Sequence, residues 1–158
     1  MDFLLSAEEK NSPIIKKLKQ QIIPRGNAGG YNLMMPEKET LFSSKNRMLV
    51  QITTFLGGRA AEELMFNDIS DETYSDFKYA TKIAAQMATK LGMSDLGPVQ
   101  DSVFSDKQAV DVEIKKIVNE SLEKARQIIV ENKSLLEQIA HELLKKETIN
   151  KEGLENLL

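Results

Sequence analysis

The chain has 158 residues, 21 Lys and Arg against 24 Asp and Glu for a formal charge of -3, no cysteine and a single histidine. That length suits one compact domain with a real core, and the absence of cysteine excludes disulfides and thiolate metal sites. An acidic balance with dispersed Lys and Arg argues against a nucleic-acid partner, which would require clustered cations on phosphate.

The opening MDFLL is too short and too acidic for a signal peptide, and no apolar run approaches 18 residues. The chain is therefore expected to be soluble and cytoplasmic, with no direct membrane insertion. Behind Pro13, the spacing of Ile14, Ile15 and Leu18 among lysines predicts a short amphipathic helical piece or a lead into a strand. Ile22-Ile23 and Tyr31 to Met35 flank a loop containing Gly26, Gly29 and Gly30, which predicts a β-hairpin. The loop lacks a following Gly-Lys-Ser/Thr and opens no helix, so it does not read as a phosphate cradle.

Ser43 or Ser44 can cap a helix whose apolar positions Met48, Ile52, Phe55 and Leu56 recur at helical spacing. Gly57 and Gly58 fall inside it, at a cost near 1 kcal/mol each, which points to close approach of another element. Glu62 and Glu63 cannot converge on one atom, because adjacent helical residues diverge by about 100°, and they read as a solvated or salt-bridged pair. Asn67 to Thr73 is acidic but lacks the glycine and ligand alternation of a calcium loop, so it reads as a linker. Ser75 can cap the next helix, with Phe77, Ala80, Ala84, Met87, Ala88 and Leu91 on one stripe and Gly92 ending it. Asp76 falls in the first turn, where a carboxylate is favoured by the helix dipole with no chemistry required.

Beyond Leu96-Gly97-Pro98, two long helices in a hairpin are expected between Ser105 and Leu144. One stripe holds Ile114, Ile117, Ser121, Ala125, Ile128 and Ile129; the other holds Leu135, Leu136, Ile139, Leu143 and Leu144. His141-Glu142 begins like a zinc motif, but Lys145 stands where the second histidine would be, so His141 reads as a surface histidine. Thr148 to Leu158 is expected to be a short terminal helix. The fold class is thus mainly α with a small β-hairpin or sheet.

Four blocks stand in fixed order: IIPRGNAGGY from Ile22, LGGRAAEEL from Leu56, SDFKYATKIA from Ser75 and LGMSDLGPV from Leu91. Together they resemble the peptidase domain of the FtsH family, membrane-anchored ATP-dependent zinc metalloproteases. The likeness covers residues 22–158, leaving 1–21 as a divergent N-terminal lead; against the family pattern, the connection from Gln100 to Phe104 is abbreviated. The resemblance implies that Asp76 matches the family's third zinc ligand. The family's other two protein ligands come from a His-Glu-x-x-His helix, and the one histidine here, His141, lies near the opposite end.

No catalytic or cofactor-binding residue is therefore assigned, no cofactor is expected in this chain although the family uses zinc, and the chain alone is predicted to be inactive. The residues point to a degenerate or truncated peptidase module, a non-catalytic binding or assembly piece. The alternative is a fragment of an active zinc endopeptidase whose zinc helix, ATPase domain and membrane anchor lie outside this chain. Expected partners are FtsH-type protease subunits, through which the chain would associate with a membrane, or extended peptides added along a strand edge at Ile22, Ile23, Tyr31 and Leu33.

Overall fold

A computed structural model describes residues 18–21, 31–34, 43–71, 73–98 and 107–157. The elements run β1 (Leu18–Gln21), β2 (Tyr31–Met34), α1 (Lys45–Phe66), α2 (Tyr74–Thr89), α3 (Lys107–Glu131), α4 (Lys133–Lys146), β3 (Thr148–Ile149) and α5 (Lys151–Glu155). The protein is mainly helical, as expected. Among the described residues, no helix is long and apolar enough to cross a membrane. Two compact units divide the chain: one holds α1, α2 and α3 as far as Ile129, the other the three strands, α4 and α5.

In the first unit, α1 starts where the sequence places it. The Ser44 hydroxyl accepts the Arg47 N–H at 3.2 Å, satisfying one of the donors that a helix start leaves open. The helix runs unbroken through Gly57 and Gly58 and ends on Asn67, whose left-handed backbone (φ 51°) lets its N–H reach the Glu63 carbonyl. Its buried face is Met48, Ile52, Thr53, Leu56, Gly57, Ala60 and Ala61. The face of α2 that is buried is narrower in volume: Ala80, Ala84, Met87 and Ala88. Small side chains on both helices let the backbones approach closely, and α1 with α2 is the most extensive helix pairing among the described residues.

Three contacts fix the direction of that pairing. Phe55 stacks on Tyr79 with ring centroids 5.6 Å apart, and the Arg59 guanidinium lies 5.8 Å above the Phe77 ring. A side-chain carbon placed on Gly58 would stand 3.5 Å from the Thr73 methyl. Rising numbers on α1 thus meet falling numbers on α2, as in an antiparallel pair with a short connector.

Several details depart from the sequence reading. The cap of α2 is Thr73 rather than Ser75, and its side chain makes no capping hydrogen bond, because the connector turns earlier, where the Tyr74 N–H meets the Asp71 carbonyl at 3.1 Å. Phe77 and Leu91 remain substantially exposed although they continue the apolar stripe. Leu91 is exposed because the chain has already left the helix: α2 stops at Thr89, and Gly92 (φ +60°) folds it back so tightly that a side-chain carbon there would lie 2.7 Å from the Pro98 Cα. The Glu113 carboxylate of α3, itself buried, then accepts the Asp95 N–H at 2.9 Å, and Lys116 pairs with Asp95. On α3 the buried face also takes in Val118 and Leu122, while Ile114 and Ile128 are only half-buried.

The second unit holds a three-stranded antiparallel sheet in the order β2-β1-β3. Its register pairs Leu18 with Met34 and Gln21 with Tyr31, so residue 18 belongs to a strand. Thr148 and Ile149 pair with Gln21 and Gln20, which corrects the expectation of a helix from Thr148. The helix comes later, at Lys151–Glu155, where the Asn150 side chain accepts the Gly153 N–H at 2.9 Å. Ile139, Ile149 and Leu154 form this unit's buried cluster, with Leu135, Leu143 and Leu157 packed against it. Only Asn132 separates α3 from α4. The expected features at Ile14, Ile15, Ile22, Ile23, Gly26, Gly29, Gly30 and the abbreviated connection from Gln100 to Phe104 lie outside the described residues.

The spacing at Gly58 makes a graded prediction. Gly58→Ala adds a methyl at ordinary contact distance and is expected to be neutral or to stabilise by up to about 1 kcal/mol. Gly58→Leu must displace Thr73 and is expected to cost about 2 kcal/mol in urea melts. Equal melts for the two variants would show that α2 does not approach Gly58.

Candidate functional site

Asp76 stands in the first turn of α2, half-buried, on the unit built from α1, α2 and α3. A helix start presents unpaired N–H groups and the positive end of the dipole, so the carboxylate is electrostatically favoured there as an anion. The turn itself is closed by the Phe77 N–H on the Thr73 carbonyl at 3.0 Å. Around it lie Tyr74, more than half exposed, and Phe77 beneath Arg59.

The two adjacent glutamates of α1 divide as the 100° step requires, each to a different element. Glu62 turns to the connector, where its carboxylate accepts the Ser70 hydroxyl at 2.8 Å and the Ser70 N–H at 3.1 Å. Glu63 turns to α3: it accepts from Arg126 Nε at 2.7 Å and from Arg59 Nε at 3.2 Å. Arg126 also pairs with Glu123 on its own helix. The hydrogen bond from Arg126 is the main reason that the Glu63 carboxyl is held below its ordinary range; partial burial opposes this, and the charges of Arg126 and Arg59 assist. The salt-bridged reading of the pair is right for Glu63. For Glu62 the partner is a neutral serine, which sequence reasoning had no signal for, since Ser70 sits in an irregular stretch.

His141 is exposed on α4 in the second unit, and Glu142 beside it pairs with Lys146 at 2.8 Å. Tyr31 and Leu33, the expected peptide-edge residues, lie in β2, which has a strand partner on one side among the described residues.

The sequence model of peptidase family M41 matches residues 5–157. The chain belongs to that family. It is 60% identical over 143 residues to the ATP-dependent zinc metalloprotease FtsH 3 of Phytoplasma mali (strain AT), covering 90% of this chain and 24% of that protein. It is 43% identical over 157 residues to the ATP-dependent zinc metalloprotease FtsH of Acholeplasma laidlawii (strain PG-8A), with 88% of this chain and 24% of that protein covered. Against the Bacillus subtilis (strain 168) protein of the same name, the identity is 40% over 160 residues, 89% of this chain and 25% of that one. The chain therefore spans about a quarter of the length of these relatives.

Membership brings zinc into consideration, and the donor set of this chain does not fit it. A catalytic zinc takes three protein ligands, chiefly imidazole, carboxylate or thiolate. These 158 residues offer no cysteine and one histidine, and no group of three or more His, Cys, Asp or Glu that could hold a metal ion occurs among the described residues. Asp76 supplies one carboxylate, a donor type that zinc accepts.

The Glu63 bridge has a definite pH signature. A carboxyl held below its ordinary value of 4.5 adds stability that is fully present above that value and is lost as the pH falls through the lower folded value. Arg126→Met is therefore expected to cost about 1 kcal/mol at pH 7, a figure already discounted for the exposure of Arg126. The gap between variant and parent in urea melts should shrink below pH 4.5. A gap that is unchanged down to strongly acid pH would mean that Arg126 contributes packing and not charge.

Proposed function

We propose that this chain is a peptidase-family module that contributes one carboxylate, Asp76, and a strand edge, and that it neither holds zinc tightly nor cleaves peptides by itself. The observation that carries this is the donor set: a single histidine and no cysteine cannot complete a tetrahedral zinc site around Asp76. Zinc-dependent peptide hydrolysis at neutral pH would draw on a water whose pKa the metal lowers to about 7, and one carboxylate alone does not do that.

Binding makes fewer demands. Strand addition uses backbone N–H and C=O groups, and β2, which holds Tyr31 and Leu33, has a strand partner on one side among the described residues. Extended peptides are the ligands this edge suits, and FtsH-type protease subunits are the partners beside which such a module would work. A membrane would then be reached only through such a partner or through sequence outside these residues.

A second reading rests on the quarter-length coverage of relatives that are zinc metalloproteases by name. In it, the chain is a fragment of an active endopeptidase, and Asp76 is the third ligand of a site whose imidazoles lie outside these residues. An in-frame His-Glu-x-x-His coding sequence ahead of Met1 in the genome would favour that reading; its absence would favour the first.

The direct test uses the chain itself, dialysed, with fluorescein-labelled casein and added zinc. Weak binding by anisotropy without release of acid-soluble fragments is expected. One equivalent of zinc retained through dialysis together with chelator-sensitive cleavage would overturn the proposal.

A further inference from the structure

We infer that Glu62 is a positioning residue for Asp76, acting through the connector between α1 and α2. The connector leaves α1 at Asn67 in a left-handed turn and re-enters a helix at Tyr74. Two attachments hold it to α1. Both Ser70 donors, hydroxyl and N–H, meet the two oxygens of the Glu62 carboxylate at 2.8 and 3.1 Å. Further along, the Thr73 methyl faces Gly58 one turn back along α1.

These attachments matter because α2 has no side-chain cap. The Thr73 hydroxyl makes no capping hydrogen bond, so the first turn, which carries Asp76, draws on the connector for its order. Hydrogen bonds accepted by a carboxylate are stronger than neutral ones, and the fork of two from one residue fixes orientation as well as distance. Glu62 thus sets where the connector ends, Gly58 sets how near Thr73 comes, and together they determine where the Asp76 carboxylate stands relative to α1. The neighbouring Glu63 has no share in this, being committed to Arg126 and Arg59.

This inference rests on Asp76 being the carboxylate that the module contributes. Its test follows the placement of Asp76 and not metal binding, so either idea can fail without the other.

The experiment is NMR on the full isotope-labelled chain carrying Glu62→Ala, Glu62→Gln or Ser70→Ala, the last serving if the glutamate variant folds poorly. Amide exchange at Ser70 and Phe77 reads the connector and the first turn, and the side-chain carboxyl resonance reads Asp76 through a pH titration. In Glu62→Ala and in Ser70→Ala, exchange at Ser70 and Phe77 is expected to quicken about tenfold, the equivalent of one lost charge-assisted hydrogen bond. The Asp76 carboxyl should shift in resonance and titration midpoint, Ala84 in the buried middle of α2 should change far less, and Glu62→Gln should restore part of the difference. Unchanged exchange and an unmoved Asp76 carboxyl would overturn the inference. So would a uniform rise in exchange at Ala84 and Asp76 alike, which marks a merely structural role.

Discussion

Close approach of α1 and α2 is the constraint on which the rest of the first unit depends. The buried face of α2 is three alanines and one methionine, and α1 answers with Gly57, Ala60 and Ala61. Such a seam buries little area per residue, so it gains from shape and proximity what a leucine-rich interface would gain from volume. It also leaves little slack: with the helices this near, the connector from Asn67 to Thr73 must reverse the chain in a short span, and Glu62, Gly58 and Thr73 hold it there. Larger aromatic and charged groups, Phe55 with Tyr79 and Arg59 with Phe77, flank the seam and set its direction. Arg126 then ties α3 to the same helix through Glu63.

The chemistry depends on that geometry. A carboxylate in the opening turn of a helix is stabilised as an anion by the helix itself, and an anion at a fixed position is what one metal ligand amounts to. The family makes this meaningful, since relatives that are 40% to 60% identical over most of the chain are zinc metalloproteases by name. The chain carries the carboxylate Asp76 in the opening turn of α2, and its sequence holds a single histidine. Fold and chemistry are separable, because the seam between α1 and α2 is built mainly of alanines and glycines, which carry no side-chain donor for a metal.

Much of this was legible in the residues. Ser44 caps α1, both glycines lie within it, and two long helices follow the Gly97-Pro98 turn, because caps, helix breakers and apolar periods are local signals. The four family blocks were legible for the same reason. What escaped depended on partners distant in sequence. Thr148 and Ile149 become a strand only because Gln20 and Gln21 lie beside them, and a two-residue strand has no period of its own. Glu62 gave no sign of its serine, eight residues on in an irregular stretch. Phe77 and Leu91 followed the apolar stripe yet stay exposed, since a stripe says which face is apolar but not where the neighbouring helix ends. Leu18–Gln21 forms a strand although its residues LKQQ show no apolar alternation, because its partners β2 and β3 are distant in sequence.

The incompleteness of the donor set is most directly tested by the absorption spectrum of Co²⁺ added in place of zinc, because its visible bands report ligand number and geometry. With one histidine and no cysteine to draw on, the spectrum should remain the weak one of six-coordinate, oxygen-bound Co²⁺ and should be the same in Asp76→Asn. Intense tetrahedral bands that disappear in Asp76→Asn would contradict this and reveal a complete metal site within these 158 residues.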